Sequence, residues 1–337
     1  MSAAKFDELK SCLPIDALIQ NGTPQIEWLD VTGIEFREPF FHQTVERART
    51  LRPEVKSVFS DLDALLLINN FTTVHQPTGL IFHTSRCGST LVANACRALD
   101  ASRVIAEPPV VDKLISRLFT DAEPDSAKEL LYLTLIRSAI QSFAPALSDS
   151  EHRFFLKFAS ASILQIKLIR RIWPTVPFLV LYRHPLEVAV SNLRKLPQWM
   201  RVETNPGASA AIAGVREEQL KGMTDEEFCA RALGRYYSAA ASVAENPFTL
   251  LVDYDQLSLQ TITRILEFFG LKTLTAELED IKQSMHLDAK DSTRLFKPDG
   301  LDKKSAASNH AIEMVEQWAM SGYKRLGAMT NIGGTLR

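Results

Sequence analysis

Beyond residue 75, short apolar runs alternate with longer stretches whose apolar residues recur every three or four positions. GLIFHT, RVIAEP, FFLKFAS, PFLVLYR and FTLLVDY have the length of buried strands, and helices are predicted over 90–99, 127–143, 162–172, 186–195, 226–244 and 258–269. Such alternation is the pattern of crossover units. The expected fold class is therefore α/β, a three-layer sandwich with a central, mainly parallel sheet flanked by helices. Residues 1–75 have a different texture: the amphipathic pieces EPFFHQTVERARTL and SDLDALLLINNF predict a mainly helical N-terminal extension packed on the α/β domain of 76–337. Residues 197–224 carry Pro, Gly, Ala and mixed charges with little strand character, and are read as a lid-like insertion near the strand ends.

Composition adds limits to this picture. With 337 residues, 46% of them hydrophobic, the chain can bury a large core, and no Pro/Gly/Ser-rich linker divides it. Lys and Arg total 38 against 40 acidic residues, so the formal charge of -2 creates no global field for nucleic acid or an anionic membrane. Any anion must be gripped locally. Cys12, Cys87, Cys96 and Cys229 have neither metal-ligand spacing nor disulfide density, so no metal is expected and a reducing cytoplasm fits best. The N-terminal stretch lacks the apolar core of a secretory signal, and no segment approaches the roughly 20 apolar residues of a membrane helix.

In open parallel sheets ligands sit beyond the carboxyl ends of the strands, which directs attention to the TSRCGST loop, Glu107, Lys157, Arg183 and Asp253-Tyr254. The loop follows an apolar run and enters a helix whose apolar face is Leu91, Val92, Ala95 and Leu99. Ser89 and Thr90 stand where capping hydroxyls belong, Gly88 permits close backbone approach, and Arg86 adds a cation. Free N–H groups and the helix dipole at that point suit a phosphate or sulfate, although a polar-capped turn has the same look. The loop is not a Walker sequence: Ser-Thr, not Lys-Ser/Thr, follows Gly88, and no glycine lies five residues earlier. In YRHPLEVAVSNL, Arg183 ends a strand, Pro185 suits a first helical turn and Ser191 stands on that helix. An Arg and a Ser so spaced can grip one phosphate from two directions, or the Arg can simply pair with Glu187.

Together the two stretches resemble the sulfotransferases that use 3′-phosphoadenosine 5′-phosphosulfate (PAPS). The family's 5′-phosphosulfate loop runs basic, small, Gly, Ser/Thr, Thr, matching Arg86-Cys87-Gly88-Ser89-Thr90 after Ser85. Its 3′-phosphate motif, an Arg-x-Pro…Val-Ala-Val-Ser frame, matches Arg183 to Ser191, and VDYDQL with ILEFFGL matches a third landmark; the resemblance covers about 79–270. It implies a P-loop NTPase-like fold and transfer of a sulfuryl group from PAPS to a hydroxyl or amine acceptor. It also implies that Arg86 stabilises the leaving oxygen and that Lys157 contacts the transferring group. The match fails where family members carry a His base two residues beyond that Lys: here the residue is Ala159. Glu107, expected to be raised toward working pH by burial, is the first candidate base and His83 the second. STRLFKPDGLDKK, with Arg294, Lys297, Lys303 and Lys304, stands where the family has a basic Gly-containing stretch but does not reproduce its pattern. Tyr254 is read as structural. A small-molecule kinase and a non-catalytic nucleotide binder are the competing readings, and the helical faces of the N-terminal region are compatible with a homo-oligomer.

Overall fold

The computed structural model describes residues 9–68, 76–120, 126–144, 152–295 and 305–332. Its first element corrects the expectation of a mainly helical N-terminal region. Strands β1 (Cys12–Gln20) and β2 (Thr23–Asp30) form an antiparallel hairpin across Asn21-Gly22, both at positive φ (50° and 77°). That pair is what a tight hairpin turn with native strand twist demands. The two amphipathic pieces do form helices, α1 (Phe41–Leu51) and α2 (Asp63–Ile68), separated by β3 (Val58–Ser60), which pairs with β2. Buried Trp28 of β2 donates its indole N–H to Ser60 Oγ at 2.8 Å, locking the third strand on.

All five apolar runs become strands of one parallel sheet: β4 (Gly79–His83), β5 (Ser102–Ala106), β6 (Arg153–Lys157), β7 (Phe178–Tyr182) and β8 (Thr249–Asp253), ordered β5-β6-β4-β7-β8. Between them lie α3 (Ser89–Arg97), α4 (Pro109–Thr120), α5 (Ser126–Gln141), α6 (Ile166–Ile172), α7 (Pro185–Arg194), α8 (Pro206–Ala213), α9 (Glu217–Leu220) and α10 (Asp225–Ala241). After β8 come α11 (Leu259–Phe268), α12 (Thr275–Met285), the short pair β9 (Leu287–Asp288) and β10 (Asp291–Leu295), then α13 (Asn309–Trp318) and α14 (Met320–Ile332). Successive strand residues point to opposite faces, and the core divides accordingly. Leu80, Phe82, Phe154, Leu156, Phe178 and Val180 pack with α4–α7 and α10, while Ile81, Phe155, Leu179 and Leu181 pack with α3, α11 and α12. This is the expected three-layer sandwich. The segment 197–224 is helical, made of α8, α9 and two short 3₁₀ turns.

All four cysteines are buried and outside any disulfide, and burial raises the thiols of Cys87, Cys96 and Cys229 to about 11, 12 and 12. No helix among the described residues is long and apolar enough to cross a membrane.

The C-terminal helices close over α10 at unusually short range. A Cβ on Gly234 of α10 would stand 2.0 Å from the backbone oxygen of Trp318, which cannot swing aside as a side chain would. Gly234→Ala is therefore expected to lose about 1–3 kcal/mol through forced separation of α10 and α13. A lowered urea midpoint with unchanged slope checks it.

Candidate functional site

The carboxyl ends of the five strands open on one cavity of about 1350 Å³. Single small-molecule pockets span about 300–1,000 Å³, so this one has room for two reactants. Its wall includes His83, Ser85, Arg86, Cys87, Gly88, Ser89 and Thr90 from β4, its loop and the start of α3, together with Glu107, Arg183 and Ser191. The sheet order assigns these groups a lateral sequence. Glu107 ends β5 at one side, the loop follows β4 in the middle, Arg183 ends β7 beyond it, and Tyr254 follows β8 at the far edge.

The loop's backbone curls into a concave turn. Ser85 (φ 72°), Arg86 (φ 48°) and Gly88 (φ 79°) all lie in the left-handed region, a geometry that turns successive N–H groups inward. The N–H groups of Arg86, Cys87 and Gly88 have no protein acceptor among the described residues, and the hydroxyls of Ser89, Thr90 and Ser191 make no hydrogen bond there either. Any side chain at Gly88 would collide with its neighbour, since a Cβ would lie 2.4 Å from Leu257 Cδ1. These unengaged donors on a cavity wall fit an anionic donor molecule.

Loop and second motif are one structure. Asn192, fully buried on α7, accepts from Ser85 Oγ at 3.2 Å and from Arg86 Nε at 3.3 Å. Arg86 also donates to the Lys195 carbonyl at 3.1 Å, and Arg183 Nη1 donates to the Arg86 carbonyl at 3.3 Å. Arg183 pairs with Glu187, but in the interior and on the cavity wall instead of at the surface, with its guanidinium 4.0 Å from the centre of the Tyr254 ring. Tyr254 thus supports the arginine. α7 starts where Pro185 predicts, with His184 Nδ1 accepting from the Leu186 N–H at 3.3 Å.

At the other side, Glu107 forms an ion pair with Lys157. His83 Nδ1 accepts the Ser85 N–H at 3.1 Å, so the proton of the neutral ring sits on Nε2, 3.6 Å from Glu107 Oε1. These contacts reverse the expected direction of the Glu107 shift. Burial alone would raise its carboxyl, but the Lys157 ammonium and His83 outweigh that and hold it far below the usual carboxylate range. Burial lowers His83 in turn. Lys157 is only 1% exposed and stands behind Glu107, outside the cavity wall.

Several wall residues carried no sequence signal. Lys290, from the turn between β9 and β10, has no ion-pair partner among the described residues; desolvation and repulsion from Arg86 and Lys157 pull it down to about 8. Phe40 and His42 arrive from the N-terminal region, and Lys157 Nζ faces the Phe40 ring at 5.0 Å. Asp112 stands in the first turn of α4, and Asn192, fully buried behind the wall, is the immediate neighbour of Ser191. Arg294 is exposed on β10 and outside the wall, while Lys297, Lys303 and Lys304 lie outside the described residues.

Residues 81–275 match the model of a family described as the sulfotransferase family. Among solved structures, the sulfotransferase from Alicyclobacillus acidocaldarius is 15% identical, over 77% of this chain and 97% of that one, with a TM-score of 0.43. The sulfotransferase domain of the Synechococcus PCC 7002 olefin synthase is 14% identical, over 74% and 96%, at 0.36. The sulfotransferase STF9 from Mycobacterium avium is 12% identical, over 82% and 81%, at 0.41. None of the curated proteins matches.

Removing one member of the Glu107–Lys157 pair leaves a buried ammonium alone, so Glu107→Gln is expected to cost about 3 kcal/mol at neutral pH. Because the native carboxyl is depressed, the pair's contribution is complete above the unfolded Glu value of about 4.3 and fades as pH falls below it. Urea unfolding from neutral to acid pH is expected to show wild type losing stability below that value, with the variant starting lower and falling less.

Proposed function

The chain belongs to the sulfotransferase family, and on that footing we propose that it moves a sulfuryl group from PAPS to a hydroxyl or amine of an acceptor by in-line displacement. The observation that carries this reading is the meeting of both sequence motifs on one cavity, tied together by Arg183 and Asn192. The N–H groups of Arg86, Cys87 and Gly88 and the hydroxyls of Ser89 and Thr90 would hold a 5′-phosphate at the start of α3, where the helix dipole adds attraction. Arg183 and Ser191, one strand further along, would hold the 3′-phosphate.

PAPS supplies the sulfuryl group and a phosphate leaving group. The protein's work is to align the acceptor and to neutralise charge as it collects on the leaving oxygen. Arg86 is the proposed cation for that oxygen, and Lys290 adds a second from the opposite part of the chain. Lys157 is assigned a positioning role, since its charge reaches the cavity through Glu107, which it orients together with His83. The acceptor would enter on the β5 side, where α8 of the 197–224 segment packs on α4 and Phe40 reaches in from the N-terminal region. That placement supports a lid role for 197–224.

Transfer and binding measurements test the reading. Wild type incubated with ³⁵S-labelled PAPS and a metabolite extract is expected to label a product, undiminished by a chelator, and calorimetry is expected to detect binding of 3′-phosphoadenosine 5′-phosphate (PAP). Ser191→Ala should weaken that binding by about tenfold through loss of one charge-assisted hydrogen bond. Equal affinity in the variant removes the 3′-phosphate assignment. Secondly, an anion in the cavity raises the Lys290 pKa from about 8, so PAP binding in buffer near that value takes up a proton. The uptake, read from the buffer dependence of the binding enthalpy, should vanish in Lys290→Met.

A further inference from the structure

The proposed transfer needs a group to take the acceptor's proton, and the two sequence candidates are both engaged. Glu107 is held by Lys157, and the one lone pair of His83 that a proton could occupy, on Nδ1, already accepts the Ser85 N–H. Ala159 has no titratable side chain at all. The space beside Ala159 is nevertheless occupied by a carboxylate. Asp112 Oδ1 accepts the Ala159 N–H at 3.4 Å and the Ser162 hydroxyl at 3.2 Å, which fixes its orientation from the 3₁₀ turn that follows β6. Its Oδ2 has no partner among the described residues and is not sealed in the interior, while the residue itself lines the cavity. Asp112 also lies on the β5 side, past Glu107, where the acceptor has room.

We infer that Asp112 is the general base, taking the proton from an acceptor hydroxyl that does not ionise by itself, such as an aliphatic alcohol. This rests on the sulfotransferase reading above. As the acceptor oxygen forms its bond to sulfur, the bond from sulfur to the bridging phosphate oxygen breaks, and the hydroxyl proton passes to Asp112 Oδ2. The 5′-phosphate leaves with the bonding pair, and Asp112 later returns the proton to water through the cavity mouth. The base is suited to neutral pH: burial first, then the neighbouring Glu107 charge, raises its pKa to about 7, against the lowering effect of the Ala159 and Ser162 hydrogen bonds and of Lys157. On its own helix Lys113 is drawn off to Asp16 of β1 at 2.7 Å, α8 contributes no charged group, and Arg201, His42 and Lys290 also stand on the cavity wall.

The test compares wild type, Asp112→Asn and His42→Gln with PAPS and two surrogate acceptors, phenol and 4-nitrophenol, in mildly alkaline buffer, with PAP affinity measured alongside. 4-Nitrophenol is largely ionised there and needs no base; phenol is not. The Asn variant is expected to keep PAP affinity, to lose about 10²–10⁴-fold in transfer to phenol, and to lose far less with 4-nitrophenol. Equal losses with both acceptors, no loss with either, or the selective loss appearing in His42→Gln instead, would overturn the assignment. If wild type neither binds PAP nor sulfates any acceptor, the sulfotransferase reading itself has failed. If it binds PAP but refuses both phenols, ¹³C NMR of the Asp112 carboxyl in the PAP complex decides: titration near neutrality supports the base, and titration in the ordinary aspartate range rules it out.

Discussion

Two residues with side chains, Ser85 and Arg86, are held at positive φ in the turn after β4, and the rest of the site depends on that conformation being maintained. Each such residue costs about 1–3 kcal/mol, and it persists only where surrounding contacts over-determine it. Here the surroundings are specific. Asn192 binds both side chains, the Lys195 carbonyl takes the other end of the Arg86 guanidinium, and Arg183 draws the Arg86 carbonyl toward β7. The turn is therefore not autonomous. It is shaped by α7, and α7 starts as soon as β7 ends because Pro185 and His184 begin it there.

The cavity's electrostatics follow from how each cation is balanced. Arg183 is neutralised by Glu187 and Lys157 by Glu107, both in the interior, where an unpaired charge would be costly. Arg86 is held by neutral oxygens, and Lys290 by no ion pair among the described residues. These last two keep their positive potential directed into the cavity, so a chain with a formal charge of -2 can still present a strongly attractive patch to a small polyanion. The acidic side chains divide in the same way. Glu107 spends its charge on Lys157 and becomes a weak base, whereas Asp112, held only by a backbone N–H and a hydroxyl, keeps its basicity.

The N-terminal hairpin region and the C-terminal elements complete what the parallel sheet begins. Phe40 reaches the wall from before α1, Lys290 from the turn of β9 and β10, and α14 joins the far side through the Tyr323 hydroxyl, 2.9 Å from Asp253 Oδ2. Tyr237 of α10, packed under α14, donates to the Arg183 carbonyl at 2.8 Å. Flanking segments with no motif of their own thus set the walls around a motif-bearing centre.

The strands, their parallel arrangement and the two polar stretches that meet at the cavity were legible in the chain itself, because a buried strand needs an unbroken apolar run and the residues after each strand end stand at the mouth of a parallel sheet. The hairpin at Asn21-Gly22 was not read from the chain, because the helical periodicity of the pieces that follow it dominates the N-terminal region. What only the tertiary structure decided is the partnership of charges. Whether Glu107 is raised by burial or lowered by Lys157, whether Arg183 faces solvent or the cavity, and which carboxylate stands beside Ala159 all depend on distances between residues far apart in sequence. Coulomb and desolvation energies are set by those distances and by local burial, and neither is written in the order of the residues.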